Sequence, residues 1–394
     1  MPKHTGRKTP ARSDSKTFKA SRRKVLKYAG VAAGTALVAP FAPYIRRARA
    51  EPVEINMLSW YGLAEPDMVE AFEAEHNVKF KPKYYAGGDN MLAALAQSPP
   101  GTFDIIHTDA EFARILIERG DLVDEMEPAD YPFDDMLHED FTDFPGHWKD
   151  GKLYSVINRF GHLGVTYNKE HVSLEEAMSY DVYWDPKLAG KVGHFDWHLP
   201  NLGQVSLLNG NNDPGPFDIS ADAWSAVREK TLSLKPQVKG YFDYGGTFAS
   251  LQNAEVWACV GIGDWVAGVL EKEGAPVGSA VPKEGGIQWT ESYSIVSTST
   301  KKDLVKKYIQ YTMSPEGQVR SANMAAYPAF TVTRAGMKAL QEQTPEEAKR
   351  TGQVEGMANN PITLINEGRI HYRDIPKRQS LEEWNEFWSE YKNA

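Results

Sequence analysis

Val53-Glu54-Ile55-Asn56-Met57-Leu58-Ser59, closed by Trp60-Tyr61 and followed by Glu65-Pro66-Asp67, decides the fold. The run is short and apolar, as a buried strand is, and Pro66 suits the first turn of a helix, where its missing N–H would have no partner anyway. Met68, Val69 and Phe72 then share one face of that helix. Val78 to Tyr84 predicts a second strand, and Asp89 stands where it can cap a helix bearing Met91, Leu92 and Leu95. Phe103 to Ile106 predicts a third strand, leading to a helix with Phe112, Ile115 and Leu116 that stops at Gly120. Strands alternating with helices at this rhythm give an α/β fold whose mostly parallel sheet is covered on both faces.

Further along, Gly161 to Tyr167, Val256 to Gly261 and Ser292 to Val296 predict strands, with a helix after Asp303 carrying Leu304, Val305, Tyr308 and Ile309. Asn209 to Phe217, rich in Asn, Gly and Pro, reads as a loop. Leu381, Trp384, Phe387, Trp388 and Tyr391 recur at helical spacing, the pattern of a face that docks on a core.

Upstream of the first strand, Ser21-Arg22-Arg23-Lys24-Val25-Leu26-Lys27 reads as a twin-arginine export signal, and Ala48-Arg49-Ala50 as its small-residue cleavage site. The apolar run between them is broken by Gly30, Gly34 and Pro40 and falls short of the roughly 20 residues that span a bilayer. Residues 1–50 hold thirteen Lys plus Arg and one acid, out of 44 and 53 in the chain. The 344 residues that remain therefore carry 31 basic against 52 acidic side chains, a formal charge of −21. Such a surface disfavours nucleic acid and attracts cations. With Cys259 as the one cysteine, no intrachain disulfide can form.

Catalytic motifs are missing. There is no Gly-x-Ser-x-Gly elbow, no Gly-x-x-x-x-Gly-Lys loop and no His-Glu-x-x-His, and Gly261-Ile262-Gly263 is too little for a dinucleotide fingerprint. His194 and His198 could bracket a metal only on a helix, which Gly193 and Pro200 oppose, so neither metal nor cofactor is expected. What stands out is aromatic residues beside acids near predicted strand ends: Trp60, then Asp109 and Glu111, then Trp289 with Glu291, and Tyr327 before Pro328. Ligands of open α/β sheets gather at the carboxyl ends of strands, where a Trp face attracts ammonium and a buried carboxylate pairs with it.

These residues sit in segments that resemble the periplasmic spermidine/putrescine-binding proteins of ABC uptake systems. The most specific segment is Val281-Pro282-Lys283-Glu284-Gly285-Gly286-Ile287-Gln288-Trp289-Thr290-Glu291-Ser292, supported by Phe103-Asp104-Ile105-Ile106, Trp184-Asp185-Pro186-Lys187-Leu188-Ala189-Gly190-Lys191 and Ala326-Tyr327-Pro328. The resemblance implies a two-lobed periplasmic-binding-protein fold, each lobe a mostly parallel sheet flanked by helices, with two or three crossing segments and the ligand cleft between lobes. Lobe one is expected from residues 51–160 plus 290–332 and lobe two from 161–289 plus 333–394. It implies a site of Trp60, Trp289, Glu291 in place of the family's Asp, and Tyr327. Departures are Leu63 where the family commonly has Tyr, Asp109-x-Glu111 for Ser-x-Tyr, and Gly263-Asp264-Trp265 for Trp-Asn-Gly, which brings Asp264 and Trp265 into the candidate set. Asp196-Trp197-His198 occupies the region of a lobe-two acid pair without matching it.

The expectation is a monomeric periplasmic solute-binding protein that captures a polyamine-like cation, is exported by the twin-arginine translocase and serves an inner-membrane ABC permease. The alternatives are another small amine, an amino-acid derivative or a metal chelate on the same fold, and more remotely an exported enzyme. A zwitterionic or anionic ligand would need Arg159, Arg369 or Arg373 in the cleft.

Overall fold

A computed structural model describes residues 51–394; the expected export signal and cleavage site lie outside the described residues. The βαβ opening forms as its pattern demands. Strand β1 (Val53–Ser59) pairs in parallel with β2 (Val78–Tyr84) across helix α1 (Pro66–His76), whose Met68, Val69 and Phe72 are buried. Helix α2 (Gly88–Gln97) starts one residue before the expected cap: Gly87 is the N-cap, and Asp89 sits in the first turn, where its charge still favours the helix dipole. Strand β3 (Ile105–Asp109) begins two residues later than predicted and runs three further. It thereby brings Asp109 to the strand end and the N-cap of α3 (Ala110–Arg119), which Gly120 terminates in a left-handed conformation.

The expected Gly161–Tyr167 strand is two strands in two sheets. β4 (Val156–Leu163) belongs to the first sheet and β5 (Val165–Asn168) to the second, with Gly164 between them. A Cβ on Gly164 would lie 2.1 Å from the Ala280 carbonyl oxygen, so only glycine lets the chain cross here. The second sheet is completed by β6 (Val192–Phe195), β7 (Val238–Phe242), β8 (Ala258–Val260) and β9 (Val277–Ala280), in the order β9-β5-β8-β6-β7. The chain returns through 281–285 to β10 (Gly286–Ile295), a fully buried strand of the first sheet. β10 pairs antiparallel with β4 on one side, and on the other with β3 and, in parallel, with β11 (Ile370–Tyr372). After β11 the chain crosses a third time, and the C-terminal helix Leu381–Asn393 packs on the helices of the second sheet, His198–Leu208 and Ala221–Ser233.

The mixed α/β fold in two sheet-centred lobes is thus the one expected, but the crossings fall at Gly164, 281–285 and 373–380. The expected division at 289/290 lies inside one hydrogen-bonded strand, and of residues 333–394 the segment Ile370–Tyr372 pairs with the first sheet. Strand pairing, which motif positions do not report, sets where a chain leaves a sheet. Among the described residues no helix is long and apolar enough to cross a membrane.

The C-terminal aromatic stripe is a docking face. Trp384 is fully buried and stacks on Trp224, rings 5.0 Å apart and nearly parallel. Truncation of such a side chain removes its transfer energy and leaves a cavity. Trp384→Ala should therefore destabilise the protein by about 3–5 kcal/mol in denaturant titration, whereas Glu382→Ala on the exposed face should cost under about 0.5 kcal/mol.

Candidate ligand-binding cleft

Three adjacent strands place the charges. Glu291 on β10 is the register partner of Arg159 on β4 and of Asp109 on β3, so the three side chains start from one line across the sheet. Cross-strand neighbours lie about 5 Å apart at Cβ, near enough for their charges to pair. The Glu291 carboxylate, fully buried, has Arg159 Nε 3.3 Å from Oε2, and its Oε1 accepts a hydrogen bond from the Tyr327 hydroxyl at 2.9 Å. Arg159 also donates to the Tyr327 carbonyl oxygen, and its guanidinium lies 4.4 Å from the Tyr327 ring centre and 5.5 Å from that of Trp289. Trp289 packs flat over Gly161, where a Cβ would approach the indole to 2.4 Å.

Asp109 is equally committed. Its Oδ2 accepts from the Trp60 indole N–H at 3.1 Å, and its Oδ1 accepts from Arg373 Nη2. The same guanidinium donates from Nε to Glu111 Oε1 at 2.5 Å and lies 4.4 Å from the Trp197 ring centre. Arg373 opens the third crossing segment, so two carboxylates of the first sheet hold that segment in place.

Opposite these, the second-sheet lobe supplies Trp197, Tyr244 and Trp265. Trp197 is 5.9 Å from Trp60, and Trp265 is 4.6 Å from Tyr327 and 5.5 Å from Tyr244. Tyr244 also donates its hydroxyl to the Ala326 carbonyl, so the lobes are in contact. Together Trp60, Asp109, Trp197, Trp265, Trp289, Tyr327 and Arg373 are among the residues lining a narrow, partly open cleft of about 40 Å³.

The chain belongs to the bacterial extracellular solute-binding proteins. That family's model matches residues 67–346. Among characterised relatives, the spermidine/putrescine-binding periplasmic protein 1 of Haemophilus influenzae is 23% identical over 74% of this chain and 79% of its own. The spermidine/putrescine-binding periplasmic protein of Escherichia coli is 21% identical over 68% and 75%. A solved structure described as a putative spermidine/putrescine ABC transporter from Listeria monocytogenes superposes with a TM-score of 0.72 at 20% identity, covering 86% of this chain and 98% of that one. Family members are substrate-binding components of ABC transporters and not enzymes.

For a solute-binding protein, the arrangement differs from a simple cluster of free acids. Of the residues singled out in the sequence, Trp60, Asp109, Trp265, Trp289 and Tyr327 line the one cleft. Glu111 and Glu291 lie behind it, each held by an arginine. Asp264 is buried at the start of its helix, where it borders a second cavity with His162, Arg350 and Arg369 and its carboxyl also lies against the side chain of Trp289. Leu63 is core, and Asp196 bonds Trp388 and Lys392 of the C-terminal helix. His194 is spent on Asn201 and Tyr391, and Cys259 is buried. Trp197 and Tyr244 escaped sequence reasoning, although Trp197 follows β6 as Trp60 follows β1, and the same strand-end rule finds it.

Burial sets the electrostatics. It pushes the Glu111 carboxyl up to about 8, against the pull of Arg373, with the Asp109 charge adding to the rise. It raises Glu291 to about 7, with Arg159 opposing, and raises Asp109, with Arg373 opposing. Burial disfavours charge on Arg373 too, but its two carboxylates outweigh that and hold its pKa above the ordinary value. The Arg373 cluster therefore sets one guanidinium against two carboxyl groups whose proton affinity burial raises.

A pH dependence follows. Unfolded, Glu111 releases its proton near 4.5, while the folded protein keeps it to about 8, so stability falls as pH rises across that interval. Buried His147 and His162, lowered to about 3, act oppositely but only below about 6.5, where the unfolded state protonates. Between pH 7 and 8 the melting temperature should decline, and Glu111→Gln should flatten that decline while leaving the melt cooperative. Differential scanning calorimetry at constant ionic strength reads it directly.

Proposed function

We propose that this chain is the periplasmic binding component of an ABC importer that captures a small organic cation of the polyamine kind by lobe closure and delivers it to the permease. The observation that carries the reading is the aromatic cleft: Trp60, Trp289 and Tyr327 from one lobe face Trp197 and Trp265 from the other, so a ligand between them would be wrapped by π faces from both sides. Residues 51–163 with 286–372 would move as one body and 164–285 with the C-terminal helix as the other, hinged at the three crossings. Binding favours closure only through its greater affinity for the closed form. Polyamines are what the curated relatives are named for, and the net negative charge would draw such cations in.

Export by the twin-arginine route with cleavage near Ala50, action as a monomer, and the absence of any catalysed step complete the proposal. A second reading is favoured by one observation: Arg373 lines the cleft, as a carboxylate-bearing amino-acid derivative would require.

Isothermal titration calorimetry of the purified protein with putrescine, spermidine and a panel of amino acids tests both. An organic cation should bind, and Trp60→Ala, which removes a half-buried ring, should weaken it more than tenfold, about 1.4 kcal/mol. Binding of amino acids to the exclusion of cations would favour the second reading, and unchanged affinity in Trp60→Ala would remove the cleft from the site.

A further inference from the structure

We infer that the second cavity, beside the first two crossings, binds a small zwitterion with an apolar body, a molecule of the amino-acid kind. It shares no lining residue with the aromatic cleft, so this site is additional to the function proposed above. Its volume of about 560 Å³ falls within the roughly 300–1,000 Å³ of small-molecule sites. Both sheets contribute to it: His162 lies on β4 of the first, and Ser279 and Ala280 lie on β9 of the second.

The charges around the cavity are unequally matched. Glu271 has Lys169 at 2.6 Å, and Arg350 engages Glu347 through both Nε and Nη2. Among the described residues Asp264 and Arg369 form no salt bridge: Arg369 Nη2 donates to the carbonyl oxygens of Val281 and Pro282 at 3.2 and 3.4 Å, and Asp264 meets Arg350 only at longer range. One carboxylate and one guanidinium of the same lining are thus left for a ligand. A zwitterion matches both, its ammonium toward Asp264 and its carboxylate toward Arg369, where charge-assisted hydrogen bonds form.

Unmet polarity marks the Asp264 end. Asp264 Oδ1 and His162 Nε2 are buried without a hydrogen-bond partner, and His162 is only 3% exposed. Buried polar atoms are ordinarily paired, and an ammonium brings three N–H donors. Burial lifts the Asp264 carboxyl to about 7 against the pull of Arg350, the state of an acid short of a compensating cation. The rest of the lining includes Leu174, Met178, Phe330 and Leu364, which suit an aliphatic body and not a bare ion.

Two isomers, 5-aminopentanoate and norvaline, carry the same charges at different spacings, whereas pentanoate and pentylamine carry one charge each. Titrated calorimetrically into the purified protein, at least one isomer should bind, about tenfold or more tighter than either singly charged compound. Ala358→Trp, at an exposed position of the lining, should weaken that binding about tenfold or more while the melt stays cooperative, and Arg369→Gln should do the same. Trp60→Ala should leave it within about twofold. Either isomer binding in this way supports the inference, the pair reporting only the spacing of the two anchors. If neither binds, or pentylamine or pentanoate binds as tightly, the inference is overturned while capture of organic cations stands on its own titration. Binding lost in Trp60→Ala but kept in Ala358→Trp also overturns it, by placing the amino acid in the aromatic cleft.

Discussion

Two buried guanidiniums govern this molecule. Arg373 and Arg159 sit almost wholly out of water, each against carboxylates that are themselves buried. Such charges persist in a low-dielectric interior only when paired and hydrogen-bonded, and removal of one partner strands the other at a cost of several kcal/mol. The pairing therefore fixes more than electrostatics. Arg373 belongs to the third crossing segment, and its hold on Asp109 and Glu111 ties that segment to the end of β3 and the start of α3. Arg159 does the same for Tyr327, whose ring and carbonyl it engages together.

The cleft follows from these commitments. With Asp109 and Glu291 each beside an arginine, the surface lining the cleft is chiefly aromatic. Contacts across the cleft are built from the same materials. Tyr61 meets Tyr244 edge-on at 5.8 Å, and the Tyr244 hydroxyl reaches the Ala326 carbonyl, so contacts across the opening are few and local. The crossings are narrow by contrast, with Gly164 against Ala280 permitting the first two to lie backbone to backbone.

Local features were legible in the sequence where local physics decides them. Alternating apolar runs gave β1 and β2, Pro66 and Gly120 marked helix ends, and the tryptophan stripe near the C-terminus gave a docked helix. Trp60, Trp289 and Tyr327 were visible as strand-end or motif residues. Long-range pairing was not legible. Nothing at positions 109, 111 and 373 announces that residues more than 260 apart will form one ion cluster, and a free acid and a neutralised one look alike in sequence. The change of sheet at Gly164 was hidden because Gly161 to Tyr167 reads as one apolar strand. Asp264 entered the candidate set through its adjacency to Trp265, whereas its contact with Trp289 is a long-range product of the fold.

A high-resolution crystal structure of the protein with its ligand bound is the most direct measurement of whether the acids of the cleft are spent on its own arginines. The account predicts Arg373 still bridging Asp109 and Glu111, Arg159 still on Glu291, and the ligand nitrogen resting against the faces of the cleft rings. An Arg373 side chain swung away, with the ligand nitrogen bonded directly to Asp109, would contradict it.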